Sequence, residues 1–141
     1  RSLDDVRTEI LDMGRLLPAT DYLQAQRLRK RMLGVYLSVL KQVDCLLVPA
    51  TAIAAPLIGQ NEVELGGAME DTRLASTRFV RGFNALGLPA LSMPAGFTAQ
   101  NLPVGCQIVG RPWEEALLLK IGAALEERTG LWRRVPPAFT A

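Results

Sequence analysis

The run at residues 84–111, NALGLPALSMPAGFTAQNLPVGCQIVGR, constrains the fold more than any other stretch of the chain. Two short apolar runs, at 90–93 and 104–109, flank a loop rich in proline and glycine, which predicts two strands and their connection. Pro89, Pro94 and Pro103 fix φ at about −65°, and the glycines between them permit sharp bends. A chain punctuated in this way predicts a tightly shaped β unit rather than a flexible linker.

The remaining elements are read around that pair. Leu3, Val6, Ile10, Met13 and Leu17 recur at spacings of three and four, which predicts a helix over 2–17. Ser2 is its expected N-cap, Asp4 and Asp5 lie in its first turn, and Pro18 is its stop. A second helix is expected over 21–42, capped by Asp21 with Gln24, with Leu28, Met32, Val35 and Val39 as its buried stripe. DCLLV at 44–48 suits a strand buried on both faces of a largely parallel sheet. Residues 49–69 show no sustained period and read as an irregular loop, the kind of long loop that carries function.

A third helix is expected over 70–86, capped by Asp71 or Thr72, with Leu74, Phe79 and Phe83 among its apolar positions and Gly87 closing it. A fourth spans 113–128, with Pro112 near its first turn and Leu117, Leu118, Ile121 and Leu125 facing the core; Gly130 closes it. The Pro-containing tail at 132–141 is expected to lie over the surface. The fold class is therefore α/β: a mixed sheet of at least three short strands flanked by about four helices, with residues 1–141 as a single domain.

Composition narrows the function. The chain is 49% hydrophobic with a net charge of +2, which fits a globular domain and disfavours nucleic acid as a partner. The basic cluster Arg27, Arg29, Lys30 and Arg31 has no interleaved aromatic residue for base stacking and reads as a solvated helix face. Arg73, Arg78 and Arg81 read likewise, with carboxylate binding as the alternative. No apolar run reaches the roughly 18 residues of a membrane span, and no signal-peptide pattern opens the sequence. Cys45 and Cys106 lie in apolar runs and read as buried, reduced thiols of a cytoplasmic protein, although only their separation in space decides whether they pair.

The chain has no histidine, so neither a Ser-His-Asp nor a Cys-His mechanism is complete within it. Zinc loses its commonest nitrogen ligand, and the two cysteines have no CxxC spacing. No phosphate-binding or dinucleotide-binding glycine motif occurs. No metal or cofactor is therefore expected.

Asn84-x-x-Gly87-x-Pro89-x-x-Ser92-x-Pro94, followed by Leu102-Pro103-x-Gly105-x-Gln107, resembles the C-terminal part of the amidase signature family. The helix carrying Tyr22, Ala25 and Arg29, and the Asp44-x-x-x-x-Pro49 strand, resemble the family's preceding segments. The resemblance implies the amidase signature fold and hydrolysis or transfer of carboxamides by a Ser nucleophile, a second Ser in a cis peptide and a Lys. In such a triad a desolvated neutral Lys accepts a proton through the bridging Ser, and backbone N–H groups hold the oxyanion. The triad needs no histidine.

The family's Gly-Gly-Ser-Ser-Gly-Gly stretch and its upstream Lys have no match in this sequence. Lys30, Lys41 and Lys120 fall on helices in unrelated contexts, and Ser92 reads as a packed strand serine. No catalytic residue is therefore assigned. The resemblance implies that this part of the family supplies one wall of the acyl-group pocket, where Thr51, Thr77 and Asn84 are the expected substrate-binding residues, with structural hydrogen bonding as the alternative role of each. Where many relatives carry Thr-x-Pro-Phe-Asn, this chain has Val80, Arg81, Gly82, Phe83 and Asn84. Ser76 and Thr77 stand where the tRNA-dependent amidotransferase A subunit usually has an acidic residue, which points to a general small-molecule amidase.

The sequence opens at Arg1 without an initiator Met, so a piece of a longer enzyme is expected, inactive by itself. Its partners would be the N-terminal half, a small-molecule amide and, through uncovered strand edges, a second copy of itself. The competing reading is a non-catalytic interaction or scaffold domain of the same fold.

Overall fold

The computed structural model describes residues 3–135. The expected cap Ser2, the side chains of Asp4, Asp5 and the stripe residues Leu3, Val6 and Ile10, and tail residues 136–141 lie outside what is described. The chain forms two compact units, divided between Val35 and Tyr36.

The first unit holds helix α1 (Leu3–Arg15) and the larger part of helix α2 (Ala19–Leu40). The first helix ends before the expected residue 17, where the N–H groups of Leu16 and Leu17 donate to the carbonyls of Met13 and Gly14. Helix α2 begins directly after Pro18, whose carbonyl accepts from the N–H groups of Asp21 and Tyr22. Asp21 thus lies inside the first turn rather than capping it, where its carboxylate still complements the helix dipole. The expected burial of α2 is not observed: Leu28, Met32, Val35 and Val39 are all exposed, Met32 at 51%. Periodicity identifies an apolar face, but burial requires a second surface against it.

In the second unit, three strands form an antiparallel sheet in the order β1-β5-β4: β1 (Leu46–Pro49), β4 (Ala90–Phe97) and β5 (Pro103–Val109). The parallel arrangement expected for β1 is corrected by its antiparallel register, Leu46 opposite Val109 through Pro49 opposite Cys106. Its burial alternates instead of being continuous, as in an antiparallel sheet covered more on one face than on the other. Strand β4 runs past residue 93 through Pro94 and Gly96. A register irregularity between those two residues absorbs the extra residue, and an edge position tolerates the missing proline N–H. Cys45, just before β1, and Cys106 are free thiols and only half-buried.

The expected irregular loop at 49–69 gives way to a β-hairpin, β2 (Glu62–Leu65) and β3 (Ala68–Asp71), whose second strand runs into the start of the expected helix at 70–86. Its turn residues Gly66 and Gly67 both have positive φ, 64° and 84°, as a two-residue type I′ connection requires. The glycine pair between alternating residues was the signal in the sequence.

The expected helix at 70–86 is two helices, α3 (Thr72–Thr77) and α4 (Val80–Leu86). Asp71 caps α3 by accepting from the N–H groups of Arg73 and Leu74 at 2.9 and 3.0 Å. Side chains then claim the carbonyls that one continuous helix would use. Ser76 Oγ donates to Thr72 O, Thr77 Oγ1 to Arg73 O, and Arg81 to Leu74 O and Thr77 O. Such back-bonding by Ser and Thr bends and weakens helices. Leu74, expected to be apolar and inward, is exposed, whereas Phe83 is buried and meets Tyr36 edge to face. Gly87 closes α4 in the left-handed conformation.

Helix α5 (Glu115–Thr129) starts two residues later than expected, since Trp113 has φ 70° and cannot belong to it. Gly130 closes α5, and a single 3₁₀ turn, Leu131–Arg133, follows. Leu118 of α5 packs on Met93 and Ile108 of the sheet, with Leu91, Ile121 and Leu125 around them. Gly122 allows this approach: a Cβ there would lie 2.5 Å from Leu91 Cδ2. The order of helices and strands makes the fold α/β.

Candidate functional site

Gly105 is where the second unit opens a concave surface. A Cβ on it would lie 3.1 Å from Ala50 Cβ and 3.4 Å from Met93 O, so the segment leaving β1 can lie directly across β5. Ala50 N–H donates to Gly105 O at 3.0 Å and fixes that crossing. Beyond it a cavity of ≈ 500 Å³ is walled by Ala50, Thr51, Ile53 and Pro56 on one side and by Ser92, Pro94, Pro103 and Val104 on the other, with Ser76 of α3 also lining it.

Gln107 organises this region from below. It is 3% exposed, and its Nε2 donates to Pro49 O at 3.1 Å and to Phe79 O at 3.2 Å. One buried amide thereby ties the end of β1, where the cavity loop begins, to the turn between α3 and α4, three residues after Ser76. The loop is tightened further by Thr51, whose Oγ1 donates to Ile53 O at 2.7 Å. At the other end of β5, Arg111 donates to the carbonyls of Leu40 and Val43 and pairs with Glu114 at 2.7 Å, which joins the end of α2 to the start of α5.

The polar groups on the cavity wall are hydroxyls and backbone; no charged side chain among the described residues lines it. Of the sequence-predicted residues, Thr51 lines the cavity. Thr77 is the neighbour of the lining Ser76, with its own hydroxyl on Arg73 O. Asn84 is exposed on α4 and is not among the lining residues. Ser92 is exposed on the cavity wall instead of packed within the sheet. Sequence reasoning missed Ile53 and Pro56, which lie in a stretch without periodicity, and the organising role of Gln107.

Lys30 and Lys120 are exposed on helices, and Lys41 is exposed just beyond α2. Arg78 is ion-paired with Glu70, and Arg81 serves helix carbonyls, so both have local structural roles. Asp71 is held below the usual carboxylate range, first by the Leu74 N–H and then by Arg73, against partial desolvation. Among the described residues no group of three His, Cys, Asp or Glu side chains is placed to hold a metal ion. No helix among them is long and apolar enough to cross a membrane.

The amidase family model matches residues 1–119. The chain belongs to the amidase family. It is 40% identical over 135 residues to a fatty acid amide hydrolase of Oryza sativa subsp. indica, covering 96% of this chain and 22% of that protein. It is also 40% identical over 139 residues to an amidase of Pseudomonas putida, covering 97% of this chain and 29% of the relative. A solved amidase crystal structure superposes with a TM-score of 0.82 at 34% identity, over 91% of this chain and 29% of the other. The chain thus spans about a quarter of the length of these amidases, and the match places it in the amidase signature fold.

Proposed function

We propose that this chain is the C-terminal portion of one amidase signature domain and supplies a wall of its substrate pocket, while the Ser-cisSer-Lys triad lies in a part of the enzyme outside these residues. The observation that carries the reading is the cavity walled by Thr51, Ile53, Ser76, Ser92 and Pro94, which has hydroxyls, apolar groups and no charge. A neutral carboxamide with an apolar acyl or amine group suits such a wall, because burying it strands no charge. Among the described residues neither a base nor an anion-stabilising cation lines the cavity, which supports a triad supplied from outside these residues.

In this reading Thr51 meets the substrate, and Thr77 and Asn84 support it from α3 and α4. The enzyme is a cytoplasmic hydrolase of small-molecule amides. The outer edges of β1 and β4, unpaired among the described residues, receive further strands of the complete sheet.

The isolated chain is expected to show no turnover of aliphatic or aromatic primary amides. Activity that co-purifies with it through further chromatography would overturn the reading. In an enzyme carrying the triad, Thr51→Val is expected to raise KM for amides several-fold while leaving the fold intact by circular dichroism.

A further inference from the structure

A second cavity, of ≈ 390 Å³, lies beyond Pro94 and Pro103, which line both cavities. Phe97, Leu131 and the part-exposed Trp132 add apolar walls, and Arg134, itself exposed, is the only charged lining residue among the described residues. Two hydrogen-bonded turns build it. On one side the Thr98 N–H donates to Leu102 O at 2.9 Å, while Thr98 Oγ1 accepts from the N–H groups of Gln100 and Leu102 at 3.2 Å. This holds Asn101 at φ 61° with its amide towards Arg134. On the other side the N–H groups of Arg133 and Arg134 donate to the carbonyls of Gly130 and Leu131.

The charge in this cavity is distinctive. Arg134 Nη2 donates to Asn101 Oδ1 at 2.7 Å, and its guanidinium carbon lies 4.0 Å from the centroid of the Phe97 ring. Both partners are neutral. They orient the guanidinium without cancelling its charge, and they leave N–H donors of its fork unused by Asn101. No lining residue among those described is acidic, and the Arg133 guanidinium lies 5.1 Å from the Trp132 ring centroid, adding positive charge beside the apolar wall.

We infer that this cavity is a binding site for a small monocarboxylate with a compact apolar body, such as an arylalkanoate. The carboxylate accepts a charge-assisted, fork-shaped pair of hydrogen bonds from Arg134, and the body lies against Trp132, Leu131 and the two prolines. Neither the amidase reading nor any turnover is needed for this site to exist.

The test is equilibrium binding to the 141-residue chain, followed by the indole N–H resonance of Trp132 and by tryptophan fluorescence. The probe is 4-phenylbutyrate, with 4-phenyl-1-butanol as its neutral counterpart. The carboxylate is expected to saturate and to bind roughly tenfold more tightly than the alcohol, as expected for a hydrogen bond between charged groups. Arg134→Gln should erase that preference. Asn101→Asp should do the same with the arginine still present, because the new carboxylate neutralises it; aspartate tolerates the positive φ. Equal binding of acid and alcohol, a preference that survives both substitutions, or no saturable shift up to about 10 mM probe would each overturn the proposal.

Discussion

Helix α2 and helix α5 carry apolar stripes of the same kind, and the structure treats them differently. In α5, Leu118 is 3% exposed against Met93 and Ile108; in α2, Met32 and its stripe neighbours remain open to solvent. Both stripes have the helical period. The difference lies in whether another surface within these residues covers them. The chain spans only about a quarter of its amidase relatives' length, and the proposed function supplies the missing cover from the rest of the enzyme.

The largest effect that would break this comparison comes from truncating both stripes. Leu118→Ala should cost about 2–5 kcal/mol in urea unfolding, whereas Met32→Ala in the same chain should stay within about 0.5 kcal/mol. Equal losses would mean that α2 is covered after all. A smaller effect is expected at the helix–sheet contact: Gly122→Ala forces a methyl into Leu91 and should cost about 1–3 kcal/mol, reduced by alanine's better helix propensity. Stabilisation instead would show that the α5 contact is loose.

Gln107→Ala sharpens the contrast from the site's side. It leaves Pro49 O and Phe79 O without this partner, at a cost of about 1–3 kcal/mol. Hydrogen exchange should quicken in β1 and the turn between α3 and α4 and stay unchanged in α1. A uniform change throughout would argue against a local tie.

The smallest effect is the pH dependence at Asp71. Its folded-state carboxyl is depressed, chiefly by the Leu74 N–H and secondly by Arg73, so its contribution is fully present above the ordinary carboxylate range of about 4. It is lost as pH falls through the lower folded value. Asp71→Asn keeps a cap acceptor but does not titrate. Its stability should therefore fall less than the parent's between pH 5 and pH 3, roughly the window set by a carboxylate, and parallel curves would remove the assignment.

Where local chemistry decides the outcome, the sequence was legible. The C-terminal glycine of α4, the cap at Asp71, the strands around Ser92 and Cys106, and the family motifs ending at Gln107 all follow from short-range geometry and ordered spacing. The glycine pair at 66–67 is an equally local signal, yet the expectation for this stretch is an irregular loop, which misses the hairpin it forms. The split at 78–79 was harder. It depends on Ser76, Thr77, Arg81 and the distant Gln107 competing for helix carbonyls, and only the folded chain brings all of them to one place.

The sequence alone determined the α/β class, the order of most elements and kinship with amidases, because periodicity, caps and turn residues act over a few positions. Only the tertiary structure decided that the sheet is antiparallel, that the stripe from Leu28 to Val39 on α2 is exposed, and that residues around Thr51 and Arg134 line two open cavities with different charge. Those outcomes depend on which distant surfaces meet, and an apolar stripe or a glycine specifies that a partner can approach without specifying which one arrives.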